Sequence, residues 1–139
     1  MNKLLCQAAI KAPGTDLGIV APFRAMIHSL KKELSGLNAA FSSITIDTVE
    51  RFQGSEREII IICLPIRHES DLLQISSLSE DGRIDRKLNV AVSRAKQRLI
   101  ILGNLALCRK SVHYSKLIDK IAECGILTDS GSVERDLLQ

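Results

Sequence analysis

The 139-residue sequence predicts an α/β domain in which a mostly parallel β-sheet is flanked by helices on both faces, a three-layer arrangement. Three observations predict it. Ile59-Ile60-Ile61-Ile62-Cys63-Leu64 is apolar without alternation, the habit of a strand buried on both faces. Shorter apolar runs, Gly18-Ile19-Val20-Ala21, Ile44-Thr45-Ile46 and Leu99-Ile100-Ile101-Leu102, recur along the chain. Between them lie stretches with helical spacing, and strands alternating with helices imply parallel pairing.

The first strand runs into Pro22, which suits a helix start because it lacks the amide donor that a first turn leaves unused. Met26, Ile27, Leu30 and Leu34 then form one apolar stripe over 25–34, and Ser35-Gly36 ends that helix. The second strand feeds a polar turn around Gly54 before the isoleucine strand begins at Ile59. A helix is expected from Lys87 to Ala95, with Asn89, Ser93 and Lys96 on one face and Val90, Ala91 and Val92 packed inward. A last helix is expected from Tyr114 to Glu123, closed by Gly125. The segment 68–85, with Ser70, Ser76, Ser77, Ser79, Asp81 and Gly82, reads as a long, exposed, mobile loop. The domain is expected to occupy 1–127, with 128–139 as a tail or linker.

Composition narrows the function. Hydrophobic residues make up 45% and charged residues 25%, the balance of a soluble globular domain. No apolar run approaches the roughly 20 residues that cross a bilayer, so no membrane partner is expected. Charge and glutamine interrupt the apolar start, which argues against a signal peptide. Cys6, Cys63, Cys108 and Cys124 lie far apart, without a C-x-x-C pair or a histidine at ligand spacing, so no metal site is expected. They read as reduced thiols in a cytoplasmic protein. The net charge is +3, and Arg83, Arg86, Lys87, Arg94, Lys96 and Arg98 cluster against the single acid Asp85. Such a cluster is either a solvated helix face or a surface that meets phosphates. With Phe23, Phe41, Phe52 and Tyr114 as the whole aromatic set, a base-stacking platform is excluded. No G-x-x-x-x-G-K-[ST] occurs, so the chain does not cradle nucleotide phosphates with a P-loop of its own.

Three segments carry polar residues at strand ends, where open α/β sheets place ligands. They are Pro22-Phe23-Arg24-Ala25, then Thr48-Val49-Glu50-Arg51-Phe52-Gln53-Gly54-Ser55-Glu56-Arg57, then Leu88-Asn89-Val90-Ala91-Val92-Ser93-Arg94-Ala95-Lys96. Arg94 falls at the end of the predicted helix, just before a strand. A guanidinium fixed there suits a phosphoryl-transfer site, because it is permanently charged, forks onto two oxygens and is placed in advance.

In this order the segments resemble motifs IV, V and VI of superfamily 1 helicases, in the branch of the nonsense-mediated-decay RNA helicase and the replication helicase–nuclease. The resemblance covers roughly Gly18 to Asn104. It implies a RecA-like domain, the second of two that close around ATP. It makes Arg94 the arginine finger that reaches the γ-phosphate. Gln53 and Gly54 match the turn beside the phosphates, and Glu56 matches the acid that holds the ribose. Thr48 matches a contact to the phosphates of the bound strand, and Asn89 and Ser93 match the helix that couples nucleotide to strand. Implied partners are single-stranded DNA or RNA and the first RecA-like domain, which would hold Mg2+ together with the P-loop. Two positions depart from the pattern: Met26 stands where the family often has glutamine, and Ile27 where some members carry an arginine. Arg24 is the candidate to replace that nucleotide contact. The chain reads as beginning within the second domain, so alone it is expected to be inactive as an ATPase. The alternative is a non-catalytic, helicase-derived module that binds nucleic acid or protein, and the joint presence of Gln53, Glu56 and Arg94 argues against it.

Overall fold

The computed structural model describes residues 16–35, 44–52 and 54–127. Four strands, β1 (Leu17–Val20), β2 (Thr45–Asp47), β3 (Arg57–Leu64) and β4 (Ala95–Gly103), form one sheet in the order β2-β1-β3-β4. Every pairing is parallel. Helix α1 (Arg24–Ser35) follows β1. After β3 come α2 (Asp71–Ile75) and α3 (Arg86–Ser93), and after β4 come α4 (Leu105–Cys108) and α5 (Val112–Cys124).

The isoleucine run explains the three layers. Ile60, Ile62 and Leu64 point to one face, where they join Val20, Phe52, Leu72, Ile75, Leu88, Ala91, Tyr114 and Ile118. Ile61 and Cys63 point to the other, against Leu17, Ile19, Ile46 and the Ile27, Leu30 and Leu34 stripe of α1. A strand between two apolar layers has no solvent face to alternate toward, so its sequence shows no alternation. Each of these larger side chains, fully buried, is worth about 1.5–3 kcal/mol relative to exposure.

Two departures from the sequence expectation bear on the candidate site. The segment 68–85 is not a long exposed loop. The Asp71 carboxylate accepts from the backbone N–H groups of Arg67 and His68 at 2.8 and 3.0 Å, which turns the chain into α2. Those bonds hold the Asp71 carboxyl below its ordinary value. Leu72 and Ile75 then bury one turn apart. Farther on, Leu78 bridges antiparallel to Asp85, and Asp85 itself is buried. Its Oδ1 caps α3 by accepting from Leu88 N–H and also takes Ser77 N–H, both at 3.2 Å. The second departure is Lys96. Helix α3 stops at Ser93, so Lys96 lies exposed on β4 rather than sharing a helix face with Asn89 and Ser93. On α3 the core contacts come from Leu88 and Ala91, with Val92 packed beside them.

Candidate functional site

The connection from β2 to β3 positions most of the candidate residues. Because β1 lies between these parallel strands, the chain must return from the carboxyl end of the sheet to the amino end across one face. It does so as a tight strap. The Thr48 carbonyl accepts from Arg51 N–H and Phe52 N–H at 3.2 and 3.3 Å, opening a 3-10 turn over Glu50–Phe52. Phe52 is 1% exposed, with its ring packed over Gly18 of β1. Only glycine fits beneath it, since a Cβ on Gly18 would stand 2.8 Å from both the Phe52 ring and Ile60 Cδ1. Gly54 then turns the strap with φ +81°, a left-handed conformation that other residues enter at a cost.

At the amino end of the strands the strap meets Arg94. Arg57 N–H donates to the Arg94 carbonyl at 2.9 Å, so the residues after Gly54 and the end of α3 are joined by backbone. The Arg57 side chain lies over the Phe52 ring, donates to Glu56 O at 2.8 Å and to Thr45 Oγ1 at 3.1 Å, and pairs with Asp16 at 3.3 Å. Arg94 is half-buried at the helix cap. Its Nε donates to Val90 O and to Ser93 Oγ, each at 3.3 Å, and its Nη2 donates to Ser93 Oγ at 3.0 Å. Among the described residues no carboxylate lies within ion-pair reach of it. Glu56 and Gly54 are exposed at the same end.

The carboxyl end is different in character. Pro22, Arg24, Ile27, His28, Lys31, Asp47, Thr48, Glu50 and Arg51 surround an open groove of about 620 Å³. Arg24, His28 and Lys31 follow at i, i+4 and i+7 along α1, so one helix face presents all three. Asp47 Oδ1 accepts from Thr48 N–H at 2.9 Å and stands 3.7 Å from Arg51 Nε. Glu50 pairs with Lys87 of α3 at 3.2 Å. Its carboxyl lies below the ordinary glutamate value because its own backbone N–H and the Lys87 and Thr48 side chains stabilise the anion, against a partial burial.

The structure therefore brings Gly54, Glu56, Ser93 and Arg94 together and does not bring Arg24 to them. Arg24 follows β1, whose last residue pairs with Ile62, while Arg94 stands beside Arg57. Five residues of β3 separate those levels, about 17 Å of strand. Of the three polar segments expected at strand ends, the glycine turn and Arg94 lie at the amino ends of β3 and β4. Thr48 lies with Arg24, and Asn89 is exposed on α3. Gln53 falls outside the described residues. Sequence reasoning missed Asp85, although an aspartate directly before a helix is a capping signal. It also missed His28, Lys31 and Arg51, whose shared groove depends on how β1 and β2 pair. Among the described residues no three His, Cys, Asp or Glu side chains converge as a metal-binding cluster. None of their helices is long and apolar enough to cross a membrane. Cys63 and Cys108 are buried and Cys124 is exposed, all three free, and burial pushes the Cys63 thiol up to about 12.

The AAA domain family matches residues 1–106. An ATP-dependent helicase of Caenorhabditis elegans with no assigned role is 36% identical over 84% of this chain and 7% of its own length. The DNA replication ATP-dependent helicase/nuclease of Xenopus tropicalis is 33% identical over 74% of the chain and 9% of its own. The DNA polymerase alpha-associated DNA helicase A of Saccharomyces cerevisiae is 29% identical over 73% of the chain and 14% of its own. The chain thus spans a small part of the curated relatives it matches. With its all-parallel sheet between helical layers, it belongs to the AAA-domain helicases, in the superfamily 1 branch that holds the replication helicase–nuclease.

Proposed function

We propose that this chain is the second RecA-like motor domain of an ATP-dependent superfamily 1 helicase, completing a shared ATP site with Arg94 and gripping single-stranded DNA or RNA along the groove at the opposite end. The observation that carries the reading is Arg94 itself: a half-buried guanidinium with no carboxylate partner among the described residues, tied through backbone to the segment after Gly54. An unpaired cation held by a helix end and a strand start is poised for an anion that arrives from outside the domain.

In this reading a P-loop domain holds ATP and the metal, and closure of the two domains sets Arg94 against the γ-phosphoryl group. Water attacks that phosphorus as the bond to the ADP oxygen breaks, and the guanidinium neutralises the charge that develops. Glu56, exposed beside it, faces the ribose. Hydrolysis reopens the cleft. The strap carries that movement from the Gly54 end to Thr48, and Thr48, Arg24 and their neighbours hold strand phosphates. Arg24 thereby belongs with the strand rather than with the nucleotide.

Kinetics on a protein that joins this domain to its P-loop domain test the reading. Arg94→Ala lowers kcat by at least ~10³ and changes the KM for ATP only a few-fold, because the P-loop supplies ground-state binding. Arg94→Lys restores little, since an ammonium lacks the planar two-pronged contact. Near-parental turnover in the alanine variant, with an unchanged thermal melt, would sink the assignment. The 139-residue chain alone hydrolyses no ATP above background, with or without single strands.

A further inference from the structure

We propose that Ser93 is a positioning residue for Arg94, acting on the nucleotide side of the domain and not on the strand. This inference rests on the arginine-finger reading above. The Ser93 hydroxyl has one proton, and it is committed to Val90 O at 2.9 Å. That leaves the oxygen lone pairs facing the Arg94 guanidinium, where they accept from Nε at 3.3 Å and Nη2 at 3.0 Å. Val90 O takes a second bond from Arg94 Nε at 3.3 Å. The last turn of α3 thus forms a clamp on one side of the guanidinium, the Nε–Nη2 side, and a cation there is also favoured by the helix dipole. Nη1 takes part in none of these bonds, so the far edge of the fork is left to meet a phosphate oxygen.

The clamp answers a specific problem. An arginine side chain near the surface samples many rotamers, and a transition-state contact works best when its placement costs nothing at the moment of reaction. A serine hydroxyl that bonds back to the preceding turn is itself held, so it can hold its neighbour. Location supports the same role. Ser93 and Arg94 stand at the amino end of the sheet, whereas Thr48 and the cationic groove lie at the carboxyl end, about 17 Å of strand away. A direct strand contact would place Ser93 with the groove.

Four variants of the protein that joins this domain to its P-loop domain decide the matter: Ser93→Ala, Ser93→Val, Ser93→Thr and the double variant Ser93→Ala with Arg94→Ala. Alanine and valine lower kcat about tenfold, the size expected from losing hydrogen bonds to a charged group, and leave the ATP KM within a few-fold. Threonine, which keeps the hydroxyl, stays within about twofold of the parent, while valine has the shape without the hydroxyl. The double variant is no slower than Arg94→Ala alone, because Ser93 acts through Arg94. Strand affinity and its salt dependence stay parental in every Ser93 variant, and nitrogen-detected spectra of the 139-residue chain show a protected Arg94 Nε–H with Ser or Thr at 93 but not with Ala. Parental kcat in Ser93→Ala overturns the proposal, as does a further loss on the Arg94→Ala background or weakened strand binding with unchanged kcat. If Arg94→Ala is slow and Ser93→Ala is parental, the Ser93 proposal alone falls. If Arg94→Ala turns over normally, the arginine-finger reading falls with it.

Discussion

At the amino end of the sheet Arg57 and Arg94 are fixed by hydrogen bonds to carbonyl and hydroxyl oxygens, and Arg57 by an aromatic ring as well. At the carboxyl end Arg24, His28, Lys31 and Arg51 stand around an open groove, and Arg51 keeps 71% of its side chain in solvent beside a loose 3.7 Å pair with Asp47. The contrast teaches which chemistry each end suits. Cations held in one geometry can meet one developing charge, because their placement is settled beforehand. Loosely held cations around an open groove would suit the phosphates of a chain that slides, with contacts that are uniform, weak and sensitive to salt. Between the ends runs the strap over Thr48–Arg57, pinned at its middle by Phe52 against Gly18.

Removing the pin is the largest way to break that contrast. Phe52→Ala empties a site in the core and destabilises the domain by about 3–5 kcal/mol in urea unfolding. It also loosens Arg57, whose guanidinium rests on the ring at 5.8 Å, so amides at both ends of the strap lose protection together. A loss below about 1 kcal/mol, or protection lost at one end only, would show that the strap does not join the two regions.

A smaller effect sharpens the functional division. Arg24→Ala weakens single-strand binding a few-fold and reduces the salt slope by about 1, as expected for one phosphate contact, with the ATP KM unchanged. Should the variant raise that KM and bind strands like the parent, Arg24 reaches the nucleotide after all and the two ends are not separate in function. Nucleotide titrations and strand titrations over a salt series distinguish these results.

The smallest effect concerns the tie between strap and α3. Glu50 is exposed and Lys87 half-buried, and so open a pair means that Glu50→Gln costs under about 1 kcal/mol. Acid gives the sign. The folded carboxyl lies below its ordinary value of 4.5, so its contribution is present above that pH and is lost as pH falls through the lower folded value. The gap in Tm between parent and Glu50→Gln therefore closes as pH falls below 4.5 through the lower folded value. A gap that persists in acid would mean that the carboxylate charge is not what joins the two elements.

How much of this was legible in the sequence depends on the range of the cause. The isoleucine strand was legible because burial on both faces suppresses alternation locally, and the helix carrying Arg94 was legible because its apolar positions recur within two turns. Helix α2 was not, since Leu72 and Ile75 are only two anchors among serines and acids, too few to set a period. The strand that follows Arg94 begins earlier than its apolar run, because Ala95 to Arg98 pair with β3 through backbone while Lys96, Gln97 and Arg98 remain in solvent.

By itself the sequence determined the layers, the lack of a P-loop motif, the membership of a helicase branch and the residue types suited to phosphate, all of which follow from local composition and short-range order. Only the tertiary structure decided which of those residues stand together. Strand order and parallel direction send the β2–β3 strap across the sheet, and this parts Gly54, Glu56, Ser93 and Arg94 from Arg24 and Thr48. Pairing between strands is set by side chains distant in sequence that share one buried layer, and no window along the chain contains both partners.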